Sequence, residues 1–261
     1  MGENLKRNIS MGKELKENVR TTNNTEVKKA MGGHMAQNPF RDLSGFELGL
    51  WLGSLLMVTG SFLLSSSNDY LTLMASLIGV TALIFVAKGY VIGQVLTVVF
   101  AVFYGVISFY FQYYGEMITY LGMTSPIAIA AVVSWARHPY EESKEVAVNQ
   151  MSKKQIAVML ILAAAVTFAF YFILKALGNA NLILSTVSVT TSFLASYLTL
   201  MRSPFYGTGY GANDIVLIGL WVMAALDDPS YIPMVACFVM FLLNDTYGFY
   251  NWRRMKKRQE V

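Results

Sequence analysis

Cysteine, histidine and charge are what this chain has least of. Its one cysteine, Cys237, can form no internal disulfide, and its place inside an apolar run suits a small buried residue. The two histidines, His34 and His138, lie in polar stretches, and no His and Cys cluster has metal-ligand spacing. Charged residues make up only 14% of the chain, against about 25% in an ordinary globular domain. No HExxH, GxSxG or Walker A signature occurs, so nothing points to an enzyme, a cofactor or a metal. What fills the chain instead is apolar: 55% of residues are hydrophobic and the mean hydropathy is +0.46. Lipid is the solvent this composition calls for.

The pI near 9.0 would fit nucleic acid, but the basic residues gather in the first 45 residues, the C-terminal tail and loops beside apolar runs. That distribution is a topology signal, and no nucleic-acid partner is expected. Residues 1–45 read as a basic, solvated arm without the order of a cleaved signal peptide. Met31-Gly-Gly-His-Met35 leaves an alternative start or an expression remnant open.

A spanning helix needs about 20 mostly apolar residues. Eight segments qualify, near 46–65, 70–87, 91–112, 117–136, 155–177, 182–201, 213–227 and 230–252. Their separators are polar or turn-forming: 65–69, Lys88-Gly89, 113–116, 178–181, 202–211 and Asp227-Asp-Pro229. An even count puts both termini on one side. If that side is cytoplasmic, Lys175 is the one residue of the 20 Lys and Arg left outside, as the positive-inside rule requires. The expectation is a multi-pass protein of the cell membrane, the inner one in a Gram-negative cell, with both termini cytoplasmic.

Two three-helix blocks then match. The fourth span ends in Trp135-Ala-Arg137 and the eighth in Trp252-Arg-Arg254, and Gln94 and Asn213 stand at nearly equal distances before the two tryptophans. One linker span separates the blocks, so both enter the membrane from the same face and the repeat is parallel. The fold class expected is an all-α membrane protein with one extra N-terminal helix and a 3+1+3 parallel-repeat core. Its parts are the arm (1–45), the extra helix (46–66), repeat 1 (67–138), a cytoplasmic loop and linker helix (139–179), repeat 2 (180–254) and a basic tail (255–261).

Few polar residues interrupt the spans, and those few are the candidates for function. Asn244, Tyr247 and Asn251 form one stripe on the eighth span, where the matched positions of the fourth are Ile127, Ala130 and Ser134. The stripe either serves the second block specifically or hydrogen-bonds a neighbouring helix. Asp245 reads as an interior partner. Asn213 and Asp214 fall where a helix would start, so capping competes with ligand binding there, and Gln94 is open in the same way. Trp221 lies mid-span and could form a stacking wall, whereas Trp135 reads as an anchor at the membrane boundary. Ser203 to Gly211 contains Thr-Gly-Tyr-Gly but lacks the Val of a potassium filter and the Lys-Ser/Thr of a phosphate loop, which leaves a flexible hinge.

Taken together, Tyr114-Gly-Glu-Met-Ile-Thr-Tyr120, Ser134-Trp-Ala-Arg-His-Pro139, Phe205-Tyr-Gly-Thr-Gly209, Leu243-Asn-Asp-Thr-Tyr-Gly248 and Asn251-Trp252 resemble the PnuC-type nicotinamide riboside transporters, from about Leu71 to Arg254. These share an architecture with SWEET sugar transporters. The resemblance implies facilitated diffusion of an unphosphorylated pyridine nucleoside, trapping by a cytoplasmic nicotinamide riboside kinase, and a homotrimer. On that reading Gln94, Asn213, Trp221, Asn244 and Tyr247 would line a mid-membrane site between the blocks. The same lining would suit a thiamine-like cation or a sugar, and a membrane enzyme or scaffold stays open beside the transporter.

Overall fold

Each of the expected apolar segments is a helix. The structure, a computed structural model, describes residues 38–65, 69–110, 114–179 and 181–260. Most of the basic arm, the middle of the 65–69 turn, and residues 111–113 lie outside them. The chain divides into residues 1–42, in which Pro39–Asp42 is a 3-10 turn, and Leu43–Val261, which holds every span. Among the described residues, eight helices are long and apolar enough to cross a membrane: α1 (Gly45–Leu64), α2 (Tyr70–Ala87), α3 (Val91–Tyr110), α4 (Tyr114–Ala136), α5 (Lys153–Ala176), α6 (Leu182–Leu200), α7 (Tyr206–Asp227) and α8 (Ile232–Gln259).

Local chemistry sets their ends. Ser44 with Glu47, and Ser152 with Gln155, close capping boxes at the starts of α1 and α5. Asp69 accepts from Thr72 N at the start of α2. That helix stops at Gly89, whose φ of +70° costs glycine nothing and lets Gly89 N and Tyr90 N close back on Val86 O and Phe85 O. Within α4 the residues Tyr120–Thr124 form a π turn. Pro126 follows it and cannot donate to the carbonyl of Gly122, so the helix widens there.

Packing repeats between the blocks. In α2–α4 and in α6–α8 the first helix lies on the second and the second on the third, while α4 packs on α6 and α8 on α2. The hydrogen bonds at one end repeat too. Ser134 Oγ and Trp135 Nε1 donate to Leu200 O and Thr199 O, at 3.2 and 2.9 Å. Asn251 Nδ2 and Trp252 Nε1 donate to Ala87 O and Val86 O, both at 2.9 Å. The two indoles also meet, their centroids 5.2 Å apart. Trp135 is therefore fully buried, and the expected anchor at the membrane boundary is instead a cross-block tie.

Two further expectations change. The seventh span begins at Tyr206, so Gly207, Gly209 and Gly211 lie inside α7 and form no hinge. Glycine is used there for close approach: a Cβ on Gly207 would stand 2.5 Å from Asp245 O, and one on Gly209 2.9 Å from Ala195 Cα. Asn213 and Asp214 consequently stand about two turns into α7 and cap nothing. At the C-terminus, α8 runs on to Gln259, where Gln259 Oε1 accepts from Val148 N, its Nε2 donates to Val146 O, and Arg258 pairs with Glu145.

The extra helix α1 packs on α2 and α8. Its Glu47 carboxylate is buried and accepts from Lys88 Nζ at 3.1 Å and from Tyr247 Oη at 2.6 Å. The linker helix α5 packs on α6 and leaves most of its apolar surface uncovered.

Candidate functional site

Two cavities among the described residues bear on the core of the bundle, and their described linings share no residue. The central one, about 40 Å³, lies between the blocks and is bounded by α2, α3, α4, α6, α7 and α8. Gln94 and Gly79 face Asn213 and Asp214 across it, Asp245 reaches it from α8, and the rings of Phe100, Tyr120, Phe238 and Phe241 form its apolar walls. The outer one, about 400 Å³, lies toward the opposite end from the paired tryptophans and is lined by Glu116, Asn179, Asn181, Trp221 and Asp227 among others. Among the described residues, neither cavity has a Lys or Arg in its lining.

Between them stands an aromatic partition. Tyr104 and Tyr120 lie with centroids 4.3 Å apart, Phe100 is 5.6 Å from Tyr104, and Phe238 meets Tyr104 edge to face at 5.9 Å. Trp221 Nε1 donates to Tyr104 Oη at 3.1 Å, which ties the wall of the outer cavity to this partition.

The five candidates from the sequence are not brought together in one place. Gln94 and Asn213, matched positions in the two blocks, do meet on the central cavity. Thr191 Oγ1 and Ser192 Oγ each donate to Asn213 Oδ1 at 2.9 Å, which orients the amide and leaves its NH₂ as the unused donor. Gln94 is buried, yet no hydrogen bond engages its amide among the described residues. Trp221 belongs to the outer cavity. Asn244 and Tyr247 face α1: Asn244 Nδ2 donates to Ser54 Oγ at 2.9 Å and to Met240 O at 2.8 Å, and Tyr247 Oη to Glu47. At Asn244 and Tyr247 the stripe on α8 is more polar than the matched face of α4 because α1 covers it there, whereas Asn251 bonds Ala87 O of α2.

What the sequence did not single out is the surround. Tyr120 and Thr124, both on the π turn of α4, line the central cavity, as do Ser192 and Ser196 of α6. π turns inside helices often mark functional sites, and Pro126 was the one local signal. The carboxyls of Asp214 and Asp245 meet side by side beside the same cavity, although α7 and α8 bring them from separate helices. This arrangement offers amide donors and acceptors, flat aromatic faces and two carboxyls. Such a lining can hold a polar aromatic solute.

The comparisons with known proteins agree with that chemistry. The family model for nicotinamide mononucleotide transporters matches residues 69–254. The nicotinamide riboside transporter PnuC of Neisseria mucosa is 26% identical over 216 residues, 80% of this chain and 81% of that protein. The nicotinamide riboside transporter PnuC of Haemophilus influenzae is 20% identical over 215 residues, 82% of this chain and 92% of that protein. Among solved structures, the crystal structure of the vitamin B3 transporter PnuC matches with a TM-score of 0.73 at 25% identity, covering 83% of this chain and 94% of its own. The family match starts at the head of α2, passes through both three-helix blocks and leaves α1 outside. This chain belongs to the nicotinamide mononucleotide transporter family, with PnuC-type transporters as its relatives.

Proposed function

We propose that this chain carries nicotinamide riboside across the membrane by facilitated diffusion. The observation that carries the reading is the lining of the central cavity: two amides, five aromatic rings and two carboxyls, with no Lys or Arg among the described residues. A pyridinium ring, a carboxamide and ribose hydroxyls match that set. The phosphate of a mononucleotide would need a cationic or backbone cradle and would meet Asp214 and Asp245 instead. The relatives bearing the riboside name support the same choice.

The outer cavity is the entry chamber, where Trp221 offers a ring face and Glu116 and Asp227 offer carboxyls. Ligand pockets run to about 300 Å³ or more, so the central space of about 40 Å³ has to widen as the Tyr104–Tyr120 contact parts. Directionality comes from phosphorylation by a cytoplasmic nicotinamide riboside kinase, and the assembly is a homotrimer; both readings rest on the family resemblance. The uncovered face of α5 is free for lipid or a neighbouring subunit.

Uptake into proteoliposomes tests the mechanism. With the membrane potential clamped, because a cation follows it, nicotinamide riboside should equilibrate in either direction without a proton or sodium gradient. The mononucleotide should not be carried. Accumulation above equilibrium that depends on an ion gradient would overturn passive transport.

The orientation follows the basic residues. Lys88, Arg137, Lys144, Arg202 and Arg253 flank the end of the bundle where Trp135 and Trp252 meet, and we assign that end to the cytoplasm. Tags on both termini should report cytoplasmic, and a cysteine introduced at Ser230 should react with an impermeant reagent added from outside. A C-terminal tag read on the outer face contradicts the assignment.

A further inference from the structure

The Asp214 and Asp245 carboxyls pose a problem that the fold alone does not solve. Each side chain is 2% exposed. Each keeps its Oδ2 buried with no hydrogen-bond partner, and Thr124 Oγ1 in the same lining is in the same condition. Neither aspartate has an ion-pair partner among the described residues. Burying carboxyls without a partner is costly, and an asparagine at either position would fill the same space without the charge. The backbone nevertheless holds the two together. Gly207 lets α7 touch the backbone of α8 at Asp245, which fixes the helix crossing beside the pair.

Two touching carboxyls hold a proton between them or a cation beside them. With one proton retained, the pair carries a single negative charge, and one positive charge neutralises it. Aromatic faces of Phe100, Tyr120 and Phe241 lie on the same cavity, so the place for that positive charge is flanked by rings that attract an organic cation. We infer that the Asp214–Asp245 pair is the counter-charge by which the central cavity selects an organic monocation over a neutral molecule of the same outline. The inference deepens the substrate reading above and rests on it.

The test compares nicotinamide riboside, whose ring is cationic, with its 1,4-dihydro form, whose ring is neutral on the same skeleton. Affinities are measured by calorimetric titration of the full chain in nanodiscs, for the parent, Asp214→Asn, Asp245→Asn and the double variant. The parent should prefer the cation, and each asparagine should cut that preference by about 10-fold or more through loss of cation affinity. Affinity for the dihydro form should stay within roughly 3-fold, which also reports that the variants are folded. Comparing the ratio across variants cancels whatever the loss of ring aromaticity contributes. An undiminished preference for the cation in the double variant would overturn the charge assignment while leaving the riboside reading in place. Equal loss of both ligands would make the carboxyls structural and overturn it as well. A parent that bound neither riboside would overturn the substrate reading and this inference with it.

Discussion

Replacing Trp135 or Trp252 by alanine will destabilise the protein by about 3 to 5 kcal/mol each, the range for deleting a large buried aromatic side chain. Both indoles are fully buried, and each donates its Nε1 proton to a carbonyl of the other block. The loss therefore combines a cavity with one hydrogen bond fewer at Thr199 O or Val86 O, each of which keeps a backbone donor, Arg202 N or Gly89 N. Because the rings also pack on each other, removing both should cost less than the two single losses added together. Phenylalanine keeps most of the ring and loses the donor, while each carbonyl keeps its backbone partner, so Trp135→Phe and Trp252→Phe should each fall about 0.5 to 1.5 kcal/mol below the parent. Denaturant titration in a fixed detergent, read by tryptophan fluorescence and by retained monodispersity, checks these values. If Trp135→Ala left stability untouched, the tie between blocks would not exist and the indole would be the surface anchor that its place at a span end first suggested.

That reversal shows what a linear reading can and cannot see. The spans were legible because lipid demands a run of apolar residues and an intact backbone ladder, and each helix carries that signal alone. The start of α7 was not, because Gly207, Gly209 and Gly211 lower both hydropathy and intrinsic helix propensity. They are accommodated only because α6 and α8 approach so closely, a fact that belongs to three helices at once. Trp135 and Trp252 were correctly paired by spacing and wrongly placed at the lipid boundary, since composition cannot tell an interfacial ring from one capped by its own repeat. Asn244 and Tyr247 formed a real stripe, but which neighbour it served depended on where α1 docked, and nothing in the stripe encodes that. Gln94 and Asn213 line one cavity because their signal was internal: equivalent positions in a repeat face the same axis, and a cavity on that axis meets both. Asp214 and Asp245 were visible singly as intramembrane acids, yet their contact is made by two helices crossing.

Gln94→Ala and Asn213→Ala are accordingly expected to weaken binding of nicotinamide riboside, each by roughly 5- to 150-fold, the equivalent of losing one buried hydrogen bond worth about 1 to 3 kcal/mol. Gln94 has no protein partner among the described residues, so its alanine variant removes a ligand contact and disturbs little else. Asn213→Ala does more: it also strands the hydroxyl of Ser192 and leaves that of Thr191 only its own helix carbonyls, and its thermal stability should drop alongside affinity. Asn213→Asp separates the two effects. An aspartate keeps an acceptor for both hydroxyls but has no NH₂ to donate, so affinity should fall by more than stability does. Asn244→Ala provides the contrast. Its amide joins α8 to Ser54 of α1, and its loss should lower stability by about 1 to 3 kcal/mol with affinity kept within roughly 2-fold of the parent. Titration calorimetry on monodisperse protein, with unfolding midpoints measured on the same samples, reads both quantities. Parent-like affinity in both Gln94→Ala and Asn213→Ala would remove the central cavity from the binding path. An affinity loss confined to Asn244→Ala would move the site to the face of α8 that α1 covers, and α1 would then have to leave for the ligand to enter.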